Sequence, residues 1–285
     1  MMPDIYEEEF DVNAMIAKIK CNNLDYGDDH FSLRDQLDLL VDYTQELMYG
    51  EAILDEQVQK FWEDSMQPFL TALKCNSTIK VLDLSSTEME NEDALRIIEA
   101  LEENQTVLEL DLSGNYIDDE GAALILKCLR NNRRLQKLNL SKNYIGVESA
   151  EHIAEFMNPI EQKMLLQVLQ RQSIGEDTAI HYSNYLKNPL VSLNLSENEI
   201  SDECVQRIAQ ALSQNRSLQN LDISQNQITD QGAEVMAKVI VANGTLVELS
   251  LGNNSISEGG IVKLAKAFEK SSLKKLHMEF GLLEK

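Results

Sequence analysis

The sequence predicts an α/β solenoid preceded by an α-helical N-terminal cap, on three observations. A strand-turn-helix pattern recurs along most of the chain, an asparagine returns at one position of its turn, and the segment before Phe69 carries helical periodicity without the repeat. The period is about 28 residues, within the range of stacked-repeat architectures. A unit of this size cannot bury its own apolar edge, whereas similar units stacked on either side bury it continuously.

Residues 107–132, VLELDLSGNYIDDEGAALILKCLRNN, display the unit. Val107, Leu110 and Leu112 form a short alternating run, Asn115 and Ile117 follow, the chain turns around Gly121, and a helical segment ends near Leu129. Equivalent strand-opening positions are Ile79, Val107, Leu135, Met164, Leu190, Leu218, Leu246 and Leu273, nearly evenly spaced. Two further apolar columns run from Leu82 and Leu84 to Leu276 and Met278, so residues 69–285 hold about eight repeats. The turn column reads Thr87, Asn115, Asn143, Gln172, Asn198, Asn226 and Asn254. An asparagine side chain both donates and accepts, so it can satisfy buried backbone groups where successive turns stack. Leaving such a group unpaired costs about 1 to 3 kcal/mol. Gly121, Gly232 and Gly260 share a column beyond the asparagine, where a missing side chain is expected to ease entry into the helix. The fourth repeat is irregular: from Met164 to Ile174 it has Gln167 at a core position and Gln172 in the asparagine column, and Pro159 and Pro189 bracket it.

The N-terminal segment, residues 1–68, reads as an acidic helical cap. Phe10, Val12, Met15, Ile16 and Ile19 fit one amphipathic face. Ser32, with Asp35 shortly after it, fits the N-cap of a helix that stops at Gly50, and a third helix should run from Glu51 to Met66, with Pro68 marking a break or kink. Up to Thr78 there are 17 acids and 5 bases, a net of −12 out of −23 for the chain. A solenoid needs such a cap over its first apolar edge; a cap that also holds a basic ligand is the alternative. At the other end, Leu273 to Met278 forms a last strand followed only by a short tail, which reads either as a natural end with the edge capped by a few residues or as the end of a truncated piece of something longer.

With its LxLSxNxIxDEGAxxLxxxLxxN pattern, the array resembles leucine-rich repeats of the ribonuclease-inhibitor type, similar to the repeat domains of NOD-like receptors and tropomodulins. The resemblance covers about residues 69–285 and implies a curved solenoid with parallel strands on the concave side and helices on the convex side. It implies no particular ligand.

Composition excludes several functions. A net charge of −23 disfavours nucleic acid and anionic membrane as partners, because a non-specific nucleic-acid binder needs a basic footprint. No run approaches the roughly 18 apolar residues of a membrane span, and residues 1–10 carry four acids and no base, unlike a secretory signal. Cys21, Cys75, Cys128 and Cys204 lie far apart without C-x-x-C spacing, which fits reduced thiols in a cytoplasm. Glycans at the sequons of Asn139 and Asn194 would sit in predicted strands, which tight stacking excludes.

Nothing in the sequence converges as a catalytic or metal site. His30, His152, His181 and His277 lie apart from one another, the acidic loop from Asp25 to His30 lacks the ligand spacing of a calcium loop, and no phosphate-binding loop occurs. The sequence therefore predicts no enzyme, cofactor or metal, and the surface remains as the place for function. Eight strands at about 4.8 Å spacing give an inner arc of roughly 34 Å, enough for the roughly 800 Å² per partner of a protein interface.

Three features mark where a protein partner would bind. Tyr116 and Tyr144 share a column one repeat apart and should stack beyond the asparagine ladder; paired exposed tyrosines suit an interface centre. Lys127, Arg130, Arg133, Arg134, Lys137 and Lys142 form a basic cluster along the sequence, and Leu165, Leu166 and Val168 place apolar surface in the fourth repeat. With Glu109, Asp111 and Asn139 from the concave strands, these give a candidate interface of Tyr116, Tyr144, Lys137, Lys142, Glu109, Asp111, Asn139, Leu166 and Val168. The resulting expectation is a non-catalytic protein-protein interaction module of the cytoplasm, using its concave face and adjacent loops. The alternative is the targeting module of a translocated bacterial effector, acting in a host cytosol, or of an enzyme whose catalytic part lies elsewhere.

Overall fold

The computed structural model describes residues 16–17, 30–32, 66–130, 132–157, 190–278 and 281–284. Strands and helices alternate along the chain. They are β1 (His30–Ser32), α1 (Met66–Cys75), β2 (Val81–Asp83), α2 (Asn91–Glu103), β3 (Glu109–Asp111), α3 (Asp119–Leu129), β4 (Lys137–Asn139) and α4 (Ala150–Met157). After these come β5 (Ser192–Asn194), α5 (Asp202–Gln214), β6 (Asn220–Asp222), α6 (Asp230–Ala242), β7 (Glu248–Ser250), α7 (Glu258–Lys270), β8 (Lys275–Met278) and β9 (Gly281–Glu284). All nine strands form one sheet in sequence order, parallel from β1 to β8 and antiparallel from β8 to β9.

Strand register places like on like. Leu82, Leu110, Leu138, Leu193, Leu221, Leu249 and Leu276 align, and all are buried. The helices pack beside one another on the other side of this column, and the leucines merge with helix residues such as Ile97, Ile125, Ile208 and Met236 into one continuous core. The strands are short because the side chains on either side of each core leucine face out of the core, and the next buried leucine already begins the turn.

Two asparagine ladders hold neighbouring repeats together. In the turn ladder, Asn143 Nδ2 donates to the Leu112 carbonyl of the preceding repeat (3.0 Å) and to Leu140 of its own (3.1 Å), while its Oδ1 accepts from the Ile117 N–H (3.1 Å). Asn115, Asn198, Asn226 and Asn254 repeat this pattern. The residue before each ladder asparagine is left-handed: Gly114 at φ 67°, Lys142 and Glu197 at 54°, Gln225 at 53°. A second ladder lies at the helix C-termini, where Asn104, Asn132, Asn215 and Asn243 close the turn into the next strand and donate back to a carbonyl of the helix before.

Several sequence expectations need revision. The fourth repeat, with Met164 to Ile174, lies outside the described residues. In the sheet β4 pairs directly with β5, Lys137 opposite Ser192, so no strand stands between them. Both ladders bridge the same step: the Asn198 amide reaches Leu140 across 58 residues of sequence, where Asn143 reaches Leu112 across 31. Close to one repeat period of extra sequence thus separates two strands that are direct neighbours in the sheet. Leu166 and Val168 are outside the described residues.

The sequence pattern puts His30 and Ser32 just before a cap helix. They instead form a strand that extends the sheet beyond the repeats, with Phe31 in register with Leu82. The cap helices expected over residues 33–48 and 51–65 lie outside the described residues, as does that over 5–20 except for Ile16 and Ala17, where Ile16 packs against the core. Pro68 sits within α1. The tail forms β9, which pairs along β8 as a hairpin.

The glycine column has a different cause from the one expected. A Cβ on Gly232 would lie 2.4 Å from Asp202 Oδ1 and 2.6 Å from Ile228 Cγ2, and one on Gly260 would meet Asp230 and Ile256 in the same way. Here the first helical turn of one repeat presses on the carboxylate that caps it from the repeat before: Asp202 accepts from the N–H groups of Thr229 (2.8 Å) and Gly232 (3.0 Å). Close approach, not turn geometry, requires the glycine.

Candidate partner-binding surface

The strands present two columns of side chains on the concave side. In the first, Glu109 and Lys137 stand opposite each other on β3 and β4 and pair at 2.7 Å. At the far end Glu248 lies 3.9 Å from Lys275 and 2.7 Å from His277 Nε2. In the second column the residues close their own turns. Asp111 accepts from the Ser113 N–H (2.8 Å) and hydroxyl (2.6 Å), and Asn139 accepts from the Ser141 N–H (3.1 Å) while donating to Asp111 (2.9 Å). Glu109, Asp111, Lys137 and Asn139 are therefore brought together, but as a mutually satisfied group. The recurring D-x-S or N-x-S at the strand end is the legible signal for this turn, as in Asn194 with Ser196 and Asp222 with Ser224.

The rim beyond the asparagine ladder is different. Tyr116 and Tyr144 follow Asn115 and Asn143, their backbones fixed by bonds from Tyr116 N–H to Met89 (2.9 Å) and Tyr144 N–H to Ile117 (2.8 Å). The ring centroids lie 6.2 Å apart at 8° between planes, and the residues are 52% and 54% exposed. The shared column predicts stacking, and the rings do stack. The same column continues as Glu199, Gln227 and Ser255, and begins with Glu88, the position between Thr87 and Met89. A glutamate thus stands on each side of the tyrosine pair. The sequence reading missed this flanking, although the repeat alignment contains it.

Carboxylates flank the pair. Asp118 caps α3 by accepting from the N–H groups of Glu120 and Gly121, and its backbone bridges to Tyr144. Those bonds, that of Gly121 foremost, with help from the Asn91 amide, hold its carboxyl below the usual carboxylate range. Lys142, in the turn before Asn143, lies 3.5 Å from Glu197.

The sequence-local basic cluster does not form one patch. Arg130 pairs with Glu155, and Arg134 donates to the Gln105 carbonyl where the chain runs from α3 into β4. Lys137 lies on the concave strand, Lys142 in the turn at the opposite strand end, and Lys127 on α3. A run of bases spanning a helix end, a strand and a turn is dispersed by the fold over three sides of the repeat. Among the described residues no group of three or more metal-ligating side chains converges, and no helix is long and apolar enough to cross a membrane.

The family model described as leucine-rich repeat matches residues 75–97, 103–126, 131–154, 187–209 and 214–237, and leaves 155–186 unmatched. No curated protein sequence matches. Among solved structures, actin-binding site 2 of leiomodin-1 is similar at 19% identity, covering 70% of this chain and 86% of that one, with a TM-score of 0.39. The C-terminal domain of Caenorhabditis elegans tropomodulin is similar at 13% identity, covering 63% and 92%, with a TM-score of 0.43.

Proposed function

The chain is a leucine-rich-repeat protein, and from that premise we propose that it is a non-catalytic module that binds a protein partner across the rim and concave strands of β3 and β4. The observation that carries this reading is the tyrosine pair. Two rings held parallel by adjacent repeats and half exposed offer a large contact area with little conformational freedom left to lose on binding. Elsewhere in that column the residues are polar, so the pair is a local departure that stacking of the repeats does not need. Glu109 and Lys137, on the concave strands of the same two repeats, are polar groups able to exchange their mutual ion pair for contacts with a partner. Under this reading Lys142 contributes at the edge, and Asp111 and Asn139 act by fixing the turns that carry the rings.

The test is parallel affinity capture with the natural chain and with Tyr116→Ala combined with Tyr144→Ala. Both residues lie outside the core, so the double variant should keep its circular dichroism and melting temperature. Proteins retained by the natural chain should be lost or weakened by about tenfold or more with the variant, as for an aromatic hot spot. An unchanged set of captured proteins at unchanged affinity would remove the interface from this rim.

A further inference from the structure

We propose that the tyrosine ridge recognises a basic segment of its protein partner, seating an arginine or lysine side chain against the outer face of Tyr144 and beside the Glu199 carboxylate. The inference rests on the rim as the binding surface and adds the chemistry of what binds there.

The geometry supplies both halves of a cation site. Tyr116 covers one face of Tyr144, so the ring's other face looks toward the next repeat. That repeat presents Glu199, whose N–H donates to the Ile145 carbonyl at 2.9 Å, fixing its backbone one repeat along from Tyr144. A Cβ on Gly146 would lie 3.6 Å from Glu199 Cβ, an ordinary contact distance, which places the glutamate beside the backbone that follows Tyr144 and Ile145. Glu199 is exposed, and among the described residues no cation pairs with it, in contrast to Glu109, Glu155, Glu197, Glu234 and Glu248. An aromatic face carries a negative quadrupole and attracts a cation within about 6 Å of its centre. Neighbouring repeats lie about 4.8 Å apart at the sheet, so one guanidinium can lie flat on Tyr144 and still reach the Glu199 carboxylate.

Charge supports the same occupant. The column carries a glutamate at either side of the rings, Asp118 stays ionised behind Tyr144, and Lys142 is occupied by Glu197. With a net charge of −23 the whole molecule steers a basic segment toward itself and repels an acidic one. An acidic or purely apolar partner would leave the Glu199 charge facing it uncompensated.

The test titrates the full chain with an acetylated, amidated peptide of alternating arginine and glycine, followed by nuclear magnetic resonance of the tyrosine rings and by calorimetry. The same peptide with citrulline in place of arginine is the neutral control. The arginine peptide should shift the Tyr144 ring signals and the citrulline peptide should not. Tyr144→Ala should weaken binding by about fivefold and Tyr144→Phe by less than about twofold, since phenylalanine retains the ring quadrupole. Glu199→Gln should weaken it by about threefold, whereas Glu258→Gln, at the start of α7, should leave it unchanged. Equal losses in Glu199→Gln and Glu258→Gln would mean that only total charge matters and would overturn the proposal. Equal binding of the citrulline peptide would also overturn it. If the double tyrosine variant loses its captured proteins while the arginine peptide neither binds nor competes with them, the rim reading stands and the basic-partner inference falls.

Discussion

Replacing Asn243 by alanine should destabilise the protein more than its size suggests, because one side chain satisfies groups in two repeats. Asn243 is buried at the C-terminus of α6. Its Oδ1 accepts from the N–H groups of Thr245 and Leu246, both at 2.8 Å, and its Nδ2 donates to the Leu212 carbonyl in the last turn of α5 at 2.6 Å. Alanine removes the acceptor of a buried N–H at Leu246 and the donor to a helix-terminal carbonyl. The Thr245 N–H is half-buried and can turn to water. Two buried groups at about 1 to 3 kcal/mol each, with some relaxation, give a loss of about 3 kcal/mol. Asn254 makes a comparable set of bonds in the turn ladder, to the N–H groups of Asn226 and Ile228 and the carbonyls of Ile223 and Leu251. It is only partly buried, so water can replace what Asn254→Ala removes, and the loss should be about 1 kcal/mol. Asn243→Asp keeps an acceptor but turns a carboxylate oxygen toward Leu212, and should lose as much as alanine. Urea unfolding followed by far-ultraviolet circular dichroism measures all three. Equal losses at Asn243 and Asn254, or an Asn243→Asp variant as stable as the natural chain, would refute the assignment of the stabilisation to buried, unreplaced bonds.

Two other perturbations follow from the contacts between repeats. Gly232→Ala should destabilise by about 1 to 3 kcal/mol through overpacking against Asp202 and Ile228, outweighing the roughly 1 kcal/mol that alanine gains in a helix. Gly244→Ala, with nothing within 4 Å of a new Cβ, should be near neutral in the same urea assay. Glu234 is hydrogen-bonded to Lys263 and Lys238, which lowers its carboxyl from 4.5 to about 2. A carboxyl lowered by folding contributes stability that is present above its unfolded value and lost as pH falls through its folded value. The melting-temperature gap between the natural chain and Glu234→Gln should therefore be constant above about pH 5 and close between about pH 4.5 and 2. A gap unchanged at pH 2 would show that the ion pairs contribute nothing.

The repeat is legible in the sequence because its causes are periodic. Leucines that face the core, a turn asparagine with both donor and acceptor, and a fixed spacing each recur often enough to identify one another. Where the period fails, inference fails for the same reason. The stretch around Met164 matches the leucine pattern loosely, yet nothing local in it reports whether β4 pairs with it or passes directly to β5. His30, Phe31 and Ser32 form too short a match to stand out, and only the sheet edge left by β2 selects them as a strand. The second asparagine ladder is present as the last letter of the repeat, but its donor role depends on a helix end 31 residues earlier and is invisible locally. The basic cluster shows the opposite error, in which nearness along the chain suggests a patch that a helix, a turn and a strand then separate.

The division of charge between face and rim bears on where selectivity resides. On the concave strands, Glu109 has Lys137 and Glu248 has Lys275 and His277, one strand away in each case. Exposed pairs of this kind contribute about 0 to 1 kcal/mol each, so a partner can exchange them cheaply but gains little from doing so. The adjoining column, Asp111 and Asn139 among it, is held in turn closure and offers few unused bonding positions. At the rim, the backbones of Tyr116, Tyr144 and Glu199 are each fixed by an N–H bond to the preceding repeat, while the two rings stack on each other and the Glu199 carboxylate has no ion pair among the described residues. Under the proposed function, a partner seated there would displace no ion pair of Glu199 and would meet the two rings already in place. An array of near-identical repeats acquires specificity where a column departs from the repeat without disturbing it, and among the described residues the tyrosine pair is the clearest such departure.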